Sequence, residues 1–320
     1  MAPAYIYPGQ GSQAVGMGRA LALASPAARD IWEAADQALD EPVSTLAWEG
    51  PAEELDLTTN AQPALLAASI AAQAALAEAV DETQGPMREA PAFFAGHSMG
   101  QYSAMVAAGV LELAVAMRLV RERGRLMQTS SEDGAMAAIM GLDDAGTAEL
   151  VASAADAGIL TVANRNSPGQ VVISGDKAAV EAAAANAKPL GARRVIVLPV
   201  SVAAHSPLMA GAAAGMQAAL TDVSFSDPSA PLLANADASL LTTGEACRGE
   251  LIEHLTRGVD WVAAVERMAD AGVHTFVEVG PGKVLTGLVR RITTDTTNVA
   301  IDDLTTDTGL QLPSEPPEQE

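Results

Sequence analysis

Basic residues are scarce in this chain. Its 320 residues hold 18 Lys and Arg against 40 Asp and Glu, a formal net charge of −22. Nucleic-acid binding needs a basic footprint, so that class of partner is excluded. An acidic protein partner would have to find a local basic patch against the overall field. Cysteine is nearly absent. Cys247 stands alone, which excludes an internal disulfide and a cysteine-rich zinc site, and no metal is expected. Long apolar runs are missing too. The Ala-rich stretch at 64–80 is broken by Gln73 and Glu78, short of the run of about 18 apolar residues that reads as a membrane span. The opening MAPAYIYPGQG has no basic start and no long apolar region, so it does not read as a secretory signal. Half of the residues are apolar and charge is sparse, which argues for a globular chain with a large core. These features point to a cytoplasmic enzyme that binds neither nucleic acid nor membrane.

Two textures follow one another along the chain. Residues 4–7 read as a first strand ending in the Gly-rich loop PGQGSQ. Helices then run to about 82, with turns expected at Pro42, Gly50-Pro51 and Pro63. An apolar run at 90–95 reads as a strand, and a longer helix covers about 111–129. After a polar break at 129–134 the pattern changes to β-α-β-β-α-β over 134–199, the order of a ferredoxin-like unit. The α/β texture resumes at about 200, with helices at 207–220, 260–271 and from 283, and strands near 231–234 and 274–279. The expected fold is therefore α/β. A large, discontinuous α/β-hydrolase-like domain with a parallel sheet (1–133 and 200–304) carries an inserted ferredoxin-like subdomain (134–199). The acidic, Pro-rich end, 305–320, is expected to be disordered.

Three residues carry chemical meaning. Ser98 is the centre of GHSMG at 96–100, between the apolar strand and a helix-like stretch. Gly96 and Gly100 lack the Cβ atoms that would clash in a sharp strand–turn–helix elbow, which presents a serine hydroxyl as a nucleophile. The backbone N–H of Met99, at a helix N-terminus, can help to hold an oxyanion. Such a serine needs a base, and the chain has only four histidines. His97 is a chain neighbour of Ser98. His254 falls inside the helical stretch ELIEHL, and His274 begins a strand. His205 ends a loop leaving an apolar strand and precedes an N-cap Ser206 and a first-turn Pro207. That is where active-site residues collect in α/β sheets, although a solvated loop histidine fits the pattern equally. No carboxylate stands out as a third member. The order of residues argues against an ordinary esterase and for a Ser–His dyad oriented by a backbone carbonyl. Arg123 lies about 140° round the 111–129 helix from Arg118, in the middle of the apolar face, at roughly 100° per residue. A buried arginine needs an anion. Either an internal Asp or Glu supplies it, or Arg123 waits for a ligand carboxylate.

YPGQGSQ (7–13), GHSMGQYSA (96–104), RERGRLM (121–127), NSPGQVVISG (166–175), PVSVAAHSPLM (199–209) and EVGPGKVLTG (278–287) occur in this order. In that combination, over about residues 4–300, the chain resembles the malonyl-CoA:acyl-carrier-protein transacylases. It is also similar to the acyltransferase domains of polyketide synthases. The resemblance implies that Ser98 carries the acyl ester and that His205 is general base, then general acid. It implies that Arg123 holds the malonyl carboxylate and that the N–H groups of Gln10 and Met99 form the oxyanion hole. The carbonyl orienting His205 would come from His254, where family members often have Gln. Gln101 and Ala204 are further departures, the latter bearing on the choice between malonyl and a substituted malonyl unit. The resemblance implies malonyl-CoA and a holo acyl carrier protein as partners. No cofactor is permanently bound; phosphopantetheine comes on the carrier, and the enzyme is expected to be monomeric. Lys188, Arg193, Arg194, Lys283, Arg290 and Arg291 are candidates for carrier docking. A serine hydrolase or thioesterase shares the elbow. A nucleotide-binding module is the other alternative, but GQGSQA (9–14) and GPGK (280–283) lack the spacing of phosphate loops.

Overall fold

A computed structural model describes residues 2–81, 89–130, 133–200, 202–306 and 309–311. In chain order the strands begin with β1 (Ala4–Tyr7), β2 (Phe93–Gly96), β3 (Gly134–Met140), β4 (Leu160–Ser167), β5 (Gln170–Asp176) and β6 (Arg194–Val197). They continue with β7 (Leu232–Leu233), β8 (Leu240–Leu241), β9 (Val259–Asp260), β10 (Thr275–Glu278), β11 (Thr297–Ala300), β12 (Thr305–Thr306) and β13 (Gly309–Leu310). The larger sheet has the order β11-β10-β1-β2-β7-β8. It is parallel except for the β7–β8 pair at its edge. All four residues of β1 are buried, as a strand covered on both faces requires. Helices lie against both faces, and the two apolar clusters so formed share the sheet as their common wall.

The smaller sheet has the order β6-β3-β5-β4-β9. Its first four strands are antiparallel neighbours with helices Asp144–Ala152 and Lys177–Ala187 between them, the ferredoxin-like arrangement read from the sequence. The fifth strand was not legible. β9 comes from the later part of the chain and pairs in parallel with β4, while Asp260 N–H donates to Asn235 O just beyond β7, so backbone hydrogen bonds tie the smaller sheet to the larger unit. The strand expected at 90–95 begins later, at Phe93, and runs into Gly96.

Three expectations are corrected. Pro63 does not make a turn; it lies inside the helix Thr58–Asp81. Proline offers no N–H to the carbonyl four residues back, that of Thr59. Arg121 Nη1 donates to that carbonyl instead, at 2.6 Å, so the helix continues without an orphaned acceptor. His254 is not within a helix but caps the C-terminus of Gly244–Glu253. The end of the chain is not wholly without structure. β12 and β13 pair antiparallel, because Leu304 and Leu310 pack on the main core. Residues 307–308 and 312–320 of the expected tail, and 131–132 of the polar break, lie outside the described residues.

Among the described residues one helix, Thr58–Val80, is long and apolar enough to cross a membrane, with 67% of its apolar window buried. It packs against helices Pro26–Leu39 and Leu113–Ser130, which makes it the core helix of the larger unit.

Candidate active site

β2 ends at Gly96, and the helix Gly100–Ala107 begins four residues later. The chain must reverse within that gap. A Cβ on Gly96 would stand 2.1 Å from Gly100 O, so no side chain fits there. Ser98 adopts φ 54°, a left-handed conformation that costs a non-glycine residue about 1 kcal/mol or more. The surroundings hold it there. Asn235, just beyond β7, accepts from the Ser98 N–H through Oδ1 at 2.8 Å and donates from Nδ2 to Gly96 O at 3.0 Å. One buried amide thus spans both sides of the turn. Its own N–H donates to Glu250 Oε1 at 2.7 Å, and its carbonyl accepts from Asp260 N–H at 2.7 Å. Burial raises the Glu250 carboxyl to about 7.

Ser98 Oγ lies 2.8 Å from His205 Nε2. His205 also has a positive φ, 59°, and is 3% exposed. Its Nδ1 donates to His254 O at 2.8 Å and Arg257 O at 3.0 Å. Both carbonyls follow the helix Gly244–Glu253, where the last C=O groups have no partner within the helix. That explains why backbone, rather than a carboxylate, faces the imidazole. With Nδ1 protonated, Nε2 is the acceptor for the serine hydroxyl. Burial, and then the Arg123 charge, lower the His205 pKa to about 4, so the imidazole is neutral at ordinary pH.

Arg123 is 1% exposed, on the buried face of the helix Leu113–Ser130. Among the described residues no carboxylate pairs with it. Its neighbours are neutral. Nη1 donates to Gln62 Oε1 at 2.7 Å, and Nη2 reaches Ser98 Oγ and His254 Nε2, each at 3.2 Å. Burial lowers its pKa to about 10, which leaves it a cation. Gly124 makes the approach to Gln62 possible, because a Cβ there would lie 2.7 Å from Thr59 Cα on the facing helix. Gln62 Nε2 donates to Thr58 Oγ1, whose hydroxyl donates to Gln10 Oε1 at 2.8 Å. A chain of side-chain hydrogen bonds therefore joins Arg123 to the loop of Gln10. That loop packs on the elbow, with Gly9 against the His97 carbonyl. Met99 is buried and N-caps the helix after Ser98.

Hydrogen bonds thus link Ser98 to His205 and Arg123, and His254 to both of these, with Met99 adjoining and Gln10 linked through Thr58 and Gln62. Sequence reasoning missed Asn235, Gln62, Thr58 and the Arg257 carbonyl. It also set His97 aside, yet His97 Nε2 lies 2.8 Å from Asn166 Oδ1 in the NSPGQ hairpin, a contact between the elbow and the smaller sheet. Polar residues in Ala-rich, apolar helices, such as Gln62, were the available signal.

Residues 4–305 match the acyl transferase domain family. The chain is 45% identical over 302 residues to the malonyl CoA-acyl carrier protein transacylase of Escherichia coli K12, covering 94% of this chain and 96% of that one. The Bacillus subtilis protein of the same name is 41% identical over 303 residues, with 94% and 93% covered. Among solved structures, an acyl carrier protein S-malonyltransferase from Vibrio cholerae superposes with a TM-score of 0.88 at 41% identity, covering 94% of this chain and 97% of that one. A malonyl-transacylase solved in complex with its type II polyketide synthase acyl carrier protein gives 0.88 at 40%, with 94% and 96% covered. The elbow, the carboxylate-free dyad and the buried arginine belong to a chain related over nearly its whole length to these enzymes. It is a member of the acyl transferase domain family and, within it, of the malonyl-CoA:acyl-carrier-protein transacylases.

Proposed function

We propose that Ser98, His205 and Arg123 together move a malonyl group from malonyl-CoA to the phosphopantetheine thiol of a holo acyl carrier protein. The observation that carries this reading is the buried Arg123 cation, bound only by neutral groups, with Nη2 3.2 Å from the Ser98 oxygen. A cation buried at that cost, beside a nucleophile, fits an acyl group that brings its own carboxylate.

The geometry supports a transfer in two steps. The malonyl carboxylate pairs with the Arg123 fork. Ser98 Oγ attacks the thioester carbon as its proton passes to His205 Nε2. The N–H groups of Gln10 and Met99 take the oxyanion. The C–S bond breaks, the CoA sulfur receives the proton from His205, and a malonyl-seryl ester remains. The carrier thiol then gives its proton to His205 and attacks the ester, and Ser98 Oγ leaves with that proton. Burial and then the Arg123 charge depress His205, and pairing Arg123 with a carboxylate offsets the second of these causes, so binding a carboxylated acyl group makes the base stronger.

In this reading residues 1–133 and 200–304 form one catalytic unit and 134–199 a smaller unit, joined by the β4–β9 pairing. The carrier docks on basic residues. All six candidates are exposed, but Lys283 is paired with Asp303 and Arg291 donates to Gln170. This leaves Lys188, Arg193, Arg194 and Arg290 as the first to test by charge reversal and carrier KM. A cytoplasmic location suits a free, buried Cys247 and substrates of this kind.

The test is intact mass after brief mixing with malonyl-CoA, beside Ser98→Ala. A malonyl adduct on the parent protein only, discharged by a holo carrier, is expected. Rapid release of malonate without an adduct would make the protein a hydrolase and overturn the proposal.

A further inference from the structure

The His254 carbonyl orients His205, and any residue could supply a carbonyl. Its imidazole does something separate. Nε2 lies 3.2 Å from Arg123 Nη2, and both side chains are 1% exposed. A guanidinium can only donate, so Nε2 must be the lone-pair acceptor and the proton must sit on Nδ1. Burial and the Arg123 charge hold the ring neutral. The Tyr102 ring, 5.9 Å away and nearly edge-on, packs beside it.

The guanidinium is thus held at both terminal nitrogens by neutral acceptors, Gln62 Oε1 on Nη1 and His254 Nε2 on Nη2. One N–H of Nη2 is spent on His254, which turns the other toward Ser98 Oγ. One N–H of Nη1 is spent on Gln62, which leaves its second free. Each terminal nitrogen thus has a second N–H, that of Nη2 facing Ser98 Oγ, and a guanidinium can offer such a pair to a carboxylate bidentately. A carboxylate in place of His254 would have fixed the guanidinium equally well, but it would have neutralised the charge meant for the ligand. A neutral acceptor fixes direction and leaves the charge available.

We propose that the His254 imidazole is a positioning residue that fixes the Arg123 fork toward Ser98 and so helps this enzyme select acyl groups bearing a carboxylate. The inference rests on the reading of Arg123 as the carboxylate site. Because the same residue holds His205 through its backbone, the base and the carboxylate fork are referred to one point of the chain.

The experiment measures single-turnover acylation of Ser98 by malonyl-CoA and by acetyl-CoA, with intact mass as readout. The variants are His254→Leu, His254→Ala, His254→Gln and Arg123→Ala, each checked by circular dichroism. All His254 variants keep the backbone carbonyl. The malonyl-to-acetyl rate ratio is expected to fall about tenfold in His254→Leu and His254→Ala, as loss of one hydrogen bond to a charged group implies. His254→Gln, whose amide oxygen can accept from Nη2, is expected to restore the ratio to within about threefold, which packing alone would not do. An unchanged ratio in the folded apolar variants, or a loss in His254→Gln equal to that in His254→Leu, overturns the inference. Arg123→Ala separates the two levels. A selective loss there with unselective His254 variants overturns the role of His254 alone. An unselective loss in Arg123→Ala overturns the carboxylate reading itself.

Discussion

Asn235 is the sharpest point at which to perturb the nucleophile without touching it. Its side chain fills two buried requirements at once, the Ser98 N–H at 2.8 Å and Gly96 O at 3.0 Å. Asn235→Ala leaves both unsatisfied. An unsatisfied buried group costs about 1–3 kcal/mol, so the two together cost about 2–6 kcal/mol. For a chain of this length that corresponds to a melting temperature lower by roughly 3–9 °C. The cost to chemistry is separate. Ser98 sits at a positive φ that the turn must enforce, and its Oγ must remain at hydrogen-bond distance from His205. A shift of about 1 Å is enough to slow acylation by about 100-fold. Single-turnover acylation by malonyl-CoA and a thermal melt read the two effects. Asn235→Asp adds a direction. Its carboxylate still accepts from Ser98 N–H but faces Gly96 O with a second oxygen in place of a donor. Protonation restores the donor. Its relative activity is therefore expected to rise as pH falls, opposite to the parent. Parent-like melting and acylation in Asn235→Ala, or a parent-like pH profile in Asn235→Asp, would refute the argument.

Two further outcomes follow from the same geometry. The base works only when neutral, and His205 is depressed to about 4 in the unliganded protein. The profile of kcat/KM for malonyl-CoA should therefore stay level down to about pH 5 and fall below it. The acylation rate at saturating malonyl-CoA should begin to fall at higher pH, because the bound carboxylate offsets Arg123; coincident inflections would contradict that coupling. Gly124→Ala places a Cβ 2.7 Å from Thr59 Cα, which forces two helices apart. A loss of about 1–3 kcal/mol in stability, with a raised KM for malonyl-CoA, is expected; a parent-like KM would show that the helix spacing does not set the Arg123–Gln62 contact.

What the sequence made legible is what local physics decides. The elbow is written in two glycines and a serine within five residues, and the four-stranded unit in its alternation of strands and helices. Arg123 could be placed on an apolar helical face, because helical period alone does that. Its surroundings could not. Whether a buried arginine meets an internal carboxylate depends on which helix lies opposite, and Gln62 is 61 residues away in sequence. Asn235 is 137 residues from Ser98, and nothing in LLANAD marks it as the amide that locks a turn. β9 is two residues long, and its pairing with β4 exists only once both units are folded.

The residues that escaped notice share a chemistry. Gln62, Thr58, Asn235 and the His254 ring are neutral hydrogen-bonding groups inside the fold; the first three each connect two groups that must hold a fixed separation, and the ring accepts from Arg123. Among the described residues no carboxylate meets Arg123, and the groups that do are neutral, which suits the proposed function. In the proposed mechanism the site accepts a carboxylate, passes a proton through a neutral imidazole, and releases the acyl group to a thiol. A resident carboxylate beside Arg123 would compete for the fork, and beside His205 it would raise the basicity that the substrate's carboxylate is positioned to raise. The backbone carbonyls of His254 and Arg257 orient the base without adding charge, so the arrival of the acyl group is the event that completes the electrostatics.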